Sequence, residues 1–103
     1  VQIQVNTDRN IEGNERLVQE VEELVVGSLK RFGERITRVE VHISDVNAHK
    51  GGRDTRCVME ARAAGLDPVT VNELAGDVQR AVRGAAGKLE RALSTRLGKL
   101  GRH

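Results

Sequence analysis

The stretch ITRVEVHISDV, residues 36–46, carries the reading of the fold. Val39, Val41 and Ile43 alternate with Arg38, Glu40, His42 and Ser44. A period of two sends these sets to opposite faces of a strand. One face is buried and one is wet, as in a sheet covered on a single side. TRCVMEARAAG, residues 55–65, repeats the pattern, with Cys57, Met59, Ala61 and Ala63 against Arg56, Val58, Glu60 and Arg62. The small alanines predict helices lying close over the apolar side. The polar NAHKGGRD, residues 47–54, joins the two strands.

The rest of the chain can be read outward from these strands. IQV, residues 3–5, is a short strand, and NTDRNIEGN, residues 6–14, supplies turn chemistry with Asn14 placed to cap a helix. Leu17, Val21, Leu24, Val25, Leu29 and Phe32 then recur three and four residues apart, an apolar helical stripe. Gly33 is placed to end that helix in a left-handed conformation. After the second long strand, Gly65, Asp67 and Pro68 mark a turn. VTV, residues 69–71, is a further β-rich run, and NELAGDVQ, residues 72–79, opens a long helix with Asn72 as its cap. The order β-α-β-β-β-α predicts an α+β fold: a four-stranded mixed sheet with two helices packed on one face. At 103 residues the chain is expected to form a single domain, residues 1–103, with one modest core.

The closing helix carries the chain's charge asymmetry. Net charge is only +2. Residues 1–29 hold Arg9 and Arg16 against Asp8, Glu12, Glu15, Glu20, Glu22 and Glu23, a sum of −4. Residues 80–103 hold Arg80, Arg83, Lys88, Arg91, Arg96, Lys99 and Arg102 against Glu90 alone, a sum of +6. At about 100° per residue, Leu74, Val78, Ala81, Val82, Ala85, Leu89, Leu93, Leu97 and Leu100 form the buried stripe. Arg80, Arg91 and Arg102 line up opposite, flanked by Arg83, Lys88 and Lys99. Two readings stand: a solvated helix face, or a row of cations for a phosphate backbone. A solvated face more often alternates signs and gains i,i+4 pairs, which adds weight to the second, although on charge pattern alone the first remains the commoner case. Gly84 and Gly87 are costly inside a helix. They either let a neighbour approach closely or are simply tolerated.

Other chemistry finds little support. His42, His49 and His103 are scattered, with no metal-ligand spacing. Cys57, the single cysteine, excludes an internal disulfide and falls on an apolar strand face, as a buried structural thiol does. HKGGRD, residues 49–54, lacks the phosphate-loop pattern and joins strands, although Lys50 and Arg53 could touch a phosphate. No acid–base couple is apparent, so the chain is not expected to be an enzyme or to use a cofactor, metal or small-molecule substrate. No apolar run approaches the roughly 20 residues of a membrane span and no secretory signal is visible, so a cytoplasmic location is expected. There is no Tyr or Trp, and Phe32 is on a core stripe. Any nucleic acid would be read by backbone and shape rather than by stacking.

Three segments carry a family resemblance: IQVNTDRNIEGNERL (3–17), ITRVEVHISDVNAHKGGRDTRCVMEARAAGLDPVTV (36–71) and DVQRAVRGAAGKLERALSTRLGKL (77–100). They resemble the ribosome hibernation family, the short ribosome-associated inhibitors also called hibernation-promoting factor or sigma-54 modulation protein. The resemblance implies a fold like that of a double-stranded-RNA-binding domain. It implies binding to the 30S subunit, against 16S ribosomal RNA and 30S proteins, in the channel for messenger and transfer RNA. Translation would thereby be silenced in stationary phase or stress. Carried over by position, the ribosome-facing residues are Lys30, Arg31 and Arg35, then Arg80, Arg83, Lys88, Arg91, Arg96 and Lys99, with Arg38 and Arg56 from the sheet. The resemblance is to the short form, without the C-terminal domain of long members. The acidic first helix is expected to lie away from RNA or to touch a basic ribosomal protein. The competing readings are a general double-stranded-RNA binder and a protein–protein adaptor in transcription control.

Overall fold

The computed structural model describes residues 1–9, 11, 13–46 and 54–100. Strand β1 (Gln2–Thr7) leads to helix α1 (Glu15–Leu29), a 3-10 segment (Lys30–Arg35), β2 (Ile36–Asp45), β3 (Thr55–Ala63), β4 (Val69–Ala75) and helix α2 (Val78–Leu100). The sheet order is β1-β2-β3-β4. β1 pairs parallel with β2, and the other two pairings are antiparallel, so the expected mixed sheet and β-α-β-β-β-α order are observed.

Register explains the two faces. Ile3, Val39, Ala61 and Val69 form one cross-strand row, and Val5, Val41, Met59 and Val71 the next, all on the helix side. The alternate rows are polar: Gln2, Arg38 and Arg62 align, as do Gln4, Glu40, Glu60 and Thr70. Ile36 and Val39 are three residues apart, which strict alternation would place on opposite faces. A register shift between Ile36 and Arg38 resolves this, because a bulge inserts one extra residue and both side chains are buried. The core joins these strand residues to Val21, Val25, Leu29 and Phe32, and to Ala81, Val82, Ala85, Ala86, Leu89, Leu93 and Leu97. Cys57 lies fully within it, and burial pushes its thiol up to about 12.

Asn14 caps α1 as expected, its Oδ1 accepting from the Leu17 N–H at 2.8 Å. α1 itself ends at Leu29, earlier than the Gly33 signal implies. The chain tightens into 3-10 turns, and Gly33 within them has φ +58°, ψ −135°, open mainly to glycine. The start of α2 is corrected more substantially. Asn72 is no cap: β4 continues to Ala75, and Asp77 caps α2 through its Oδ1 and the Arg80 N–H at 2.8 Å. Leu74 consequently leaves the helical stripe. It is on the open face of β4, aligned with Arg56 and half exposed.

Chain direction sets the helix arrangement. α1 returns antiparallel to β1 to reach the parallel β2. α2 packs back over β3 and β4 two residues after β4 ends. β4 runs parallel to β1, so the two helices are parallel neighbours. Their N-termini share one end of the molecule and their C-termini the other.

Candidate nucleic-acid interface

The eleven candidate residues separate onto two surfaces. Arg38 and Arg56 project from the open face of the sheet, opposite the helices. Arg38 is held there: its Nη2 donates to Gln4 Oε1 at 2.6 Å and pairs with Glu40 at 2.8 Å. Arg56 is exposed and pairs with no acid among the described residues. Arg62, absent from the candidate set, aligns with Arg38 on this face and pairs with Glu60 at 3.3 Å. The same period-two alternation that placed Arg38 would have found it.

The helix layer holds the remaining candidates. Lys30, Arg31 and Arg35 follow the end of α1, and all three are exposed. The Arg31 guanidinium stands 4.9 Å from the Phe32 ring centroid, a cation–π contact that steadies it beside the core. Arg91 and Arg96 belong to the second half of α2, and Lys99 is in its last turn. Because the helices are parallel, these two groups of cations share one end of the molecule. Lys30 at the end of α1 and Lys99 in the last turn of α2 are placed where the helix dipoles favour positive charge.

Arg80, Arg83 and Arg91 are exposed on the side of α2 turned from the core. Arg80 has only a long, solvent-screened pair with its own cap Asp77, at 3.8 Å. Arg83 and Arg91 have no ion pair among the described residues. Arg91 folds back toward Gly87, where an added Cβ would come within 3.3 Å of its guanidinium.

Lys88 differs from these residues. Its Nζ pairs with Glu73 at 2.7 Å and donates to the Asn72 carbonyl at 2.9 Å, bridging α2 to β4. Gly84 belongs to the same contact. A Cβ there would overlap the Glu73 carboxylate, so the glycine admits Glu73 beneath the helix. One oddity of the sequence, a glycine inside a helix, thus has a close approach of the sheet as its cause. Lys88 is committed to that approach.

The loop cations Lys50 and Arg53, and Arg102, lie outside the described residues. Among the described residues, no cluster of three or more His, Cys, Asp or Glu could hold a metal ion. No described helix is long and apolar enough to cross a membrane.

Comparison with known proteins adds to this geometry. No curated protein sequence matches the chain. The crystal structure of the Protein Y N-terminal domain from Thermus thermophilus is similar, with a TM-score of 0.76 and 21% identity over 93% of this chain and 99% of that one. A ribosomal subunit interface protein from Coxiella burnetii is similar at a TM-score of 0.73 and 16% identity, over 95% of this chain and 99% of that one. At these identities the likeness is one of fold. The family model described as sigma 54 modulation protein / S30EA ribosomal protein matches residues 3–101, nearly the whole described structure, and the chain belongs to that family.

Proposed function

We propose that this protein is a ribosome hibernation factor, acting through one ribosome-binding domain over residues 1–103. It binds the 30S subunit in the channel for messenger and transfer RNA, against 16S ribosomal RNA and 30S proteins. By occupying that channel in the cytoplasm, it silences translation in stationary phase or stress. The observation that carries this reading is the helix layer: Arg83 and Arg91 without acidic partners among the described residues, Arg80 weakly paired, and Lys30, Arg31, Arg35 and Arg96 gathered toward one end. The description of the family as ribosomal, and of the Coxiella relative as a subunit interface protein, supports the target.

The mechanism is steric. Cations on α2 and after α1 pair with phosphates, which position the protein without reading bases. Phe32 is buried, so specificity comes from the fit to a folded groove rather than from stacking. Arg38 and Arg56 face the opposite wall of such a groove, and Lys88 acts mainly by holding α2 on the sheet.

A direct comparison of targets tests this. Affinity for isolated 30S subunits should exceed affinity for free RNA duplex by about a hundredfold or more, because only the folded groove matches the protein's shape. Equal affinity would identify a general duplex binder. Binding that ignores salt would instead indicate a protein–protein adaptor.

A further inference from the structure

The two edges of the sheet are protected unequally. β4 contains Glu73, and Lys88 caps its Asn72 carbonyl. Among the described residues β1, the other edge, bonds to β2 on one side only. Its six residues, QIQVNT, include no charge, no proline and no glycine. Natural edge strands generally carry such features, because an unguarded edge invites another strand to pair.

The flank of β1 is also open. Two hollows follow one another along the strand, between it and α1, and together make a trough. At one end Val5 and Thr7 face Val18, with Glu15 and Glu22 on the rim. At the other, Ile3 faces Val25 and Val26, with Lys30 on the rim. Val26 is an apolar side chain left 47% exposed there. The trough is therefore apolar along its floor, acidic at one end and basic at the other.

We propose that the outer edge of β1, with this trough, is a self-association surface where a second copy of the chain pairs its own β1 antiparallel. A two-fold axis at Gln4 sets Ile3 opposite Val5 of the second copy, both on the helix side. Gln2 meets Asn6 of the second copy on the open side. The same axis reverses the trough, so the Glu15–Glu22 end of one copy meets Lys30 of the other, twice. That charge complementarity selects a second copy over an unrelated extended peptide. An isologous two-fold contact of this kind closes on itself as a dimer. The inference rests on β1, α1 and Lys30; it shares only Lys30 with the RNA-binding reading, and self-association measured without ribosomes or RNA tests it separately.

Sedimentation velocity of the full chain over a dilution series is the test. The wild-type protein should move from monomer to dimer as concentration rises. Val26→Asp, at an exposed position, should weaken association by about tenfold or more, as a charge in a desolvated contact does. Lys30→Glu alone, and Glu15→Lys with Glu22→Lys, should each weaken it, since each homodimer then sets like charges together. An equimolar mixture of those two variants should associate again, because every acid meets a base. A wild-type chain that stays monomeric throughout, variants that associate as well as wild type, or a mixture that fails to recover would each overturn the proposal.

Discussion

The two helices are parallel neighbours on one sheet, yet they are built for different work. α2 seats on β3 and β4 through Ala81, Ala85, Ala86 and Gly84, and buries Leu89 and Leu93 completely. α1 buries Val21, Val25 and Leu29 but leaves Leu17 and Leu24 partly open and Val26 exposed. Their outer faces carry opposite charge: Glu15, Glu20, Glu22 and Glu23 on α1, and Arg80, Arg83 and Arg91 on α2. Small residues hold the basic helix firmly, so its cations stand on a rigid base. The acidic helix sits over the β1 edge with an open trough beside it.

The packing contrast can be broken by truncation. Leu89→Ala, in the fully buried seat of α2, should cost about 3 kcal/mol in urea unfolding. Leu24→Ala, at the partly open seat of α1, should cost about 1 kcal/mol or less. Equal costs would remove the distinction between a tightly and a loosely seated helix.

The charge contrast predicts the next largest effect. Arg80, Arg83 and Arg91 changed together to Ala should lower 30S affinity by at least about tenfold and flatten its salt dependence. Circular dichroism should be unchanged, since all three are exposed. Reversal of Glu20 and Glu23 to Lys should leave 30S affinity undiminished if α1 faces away from RNA. A marked loss would instead point to a basic ribosomal protein against α1.

The smallest effect separates Lys88 from its neighbours. Its pair with Glu73 is partly exposed, so Lys88→Ala should reduce stability by only about 0.5 kcal/mol. Its effect on 30S affinity should be smaller than that of Arg91→Ala. A larger loss of affinity would show that Lys88 leaves Glu73 to reach phosphate.

Much of this architecture was legible in the sequence. Alternation in 36–46 and 55–65 marked both faces of the sheet, and Asn14 marked the start of α1. The error at the start of α2 has a physical cause. Val71, Leu74 and Val78 fit a helical spacing, while Val69, Val71, Glu73 and Ala75 fit a strand. Gly76 and Asp77 were the better punctuation, because Asp77 is a strong cap just before the first helical residue. The division of the cations was half legible: alternation already put Arg38 and Arg56 on the wet face of the sheet. The commitment of Lys88 was not legible, since its partners Glu73 and Asn72 come together only through the packing of α2 on β4.

The most direct measurement is sedimentation of the protein with 30S subunits across a salt series, with and without messenger and transfer RNA bound. Bound messenger and transfer RNA should exclude the protein. Log affinity should fall linearly with log salt, by about 0.7–0.9 per phosphate contacted. Unchanged binding to subunits already filled with messenger and transfer RNA would contradict occupation of the channel.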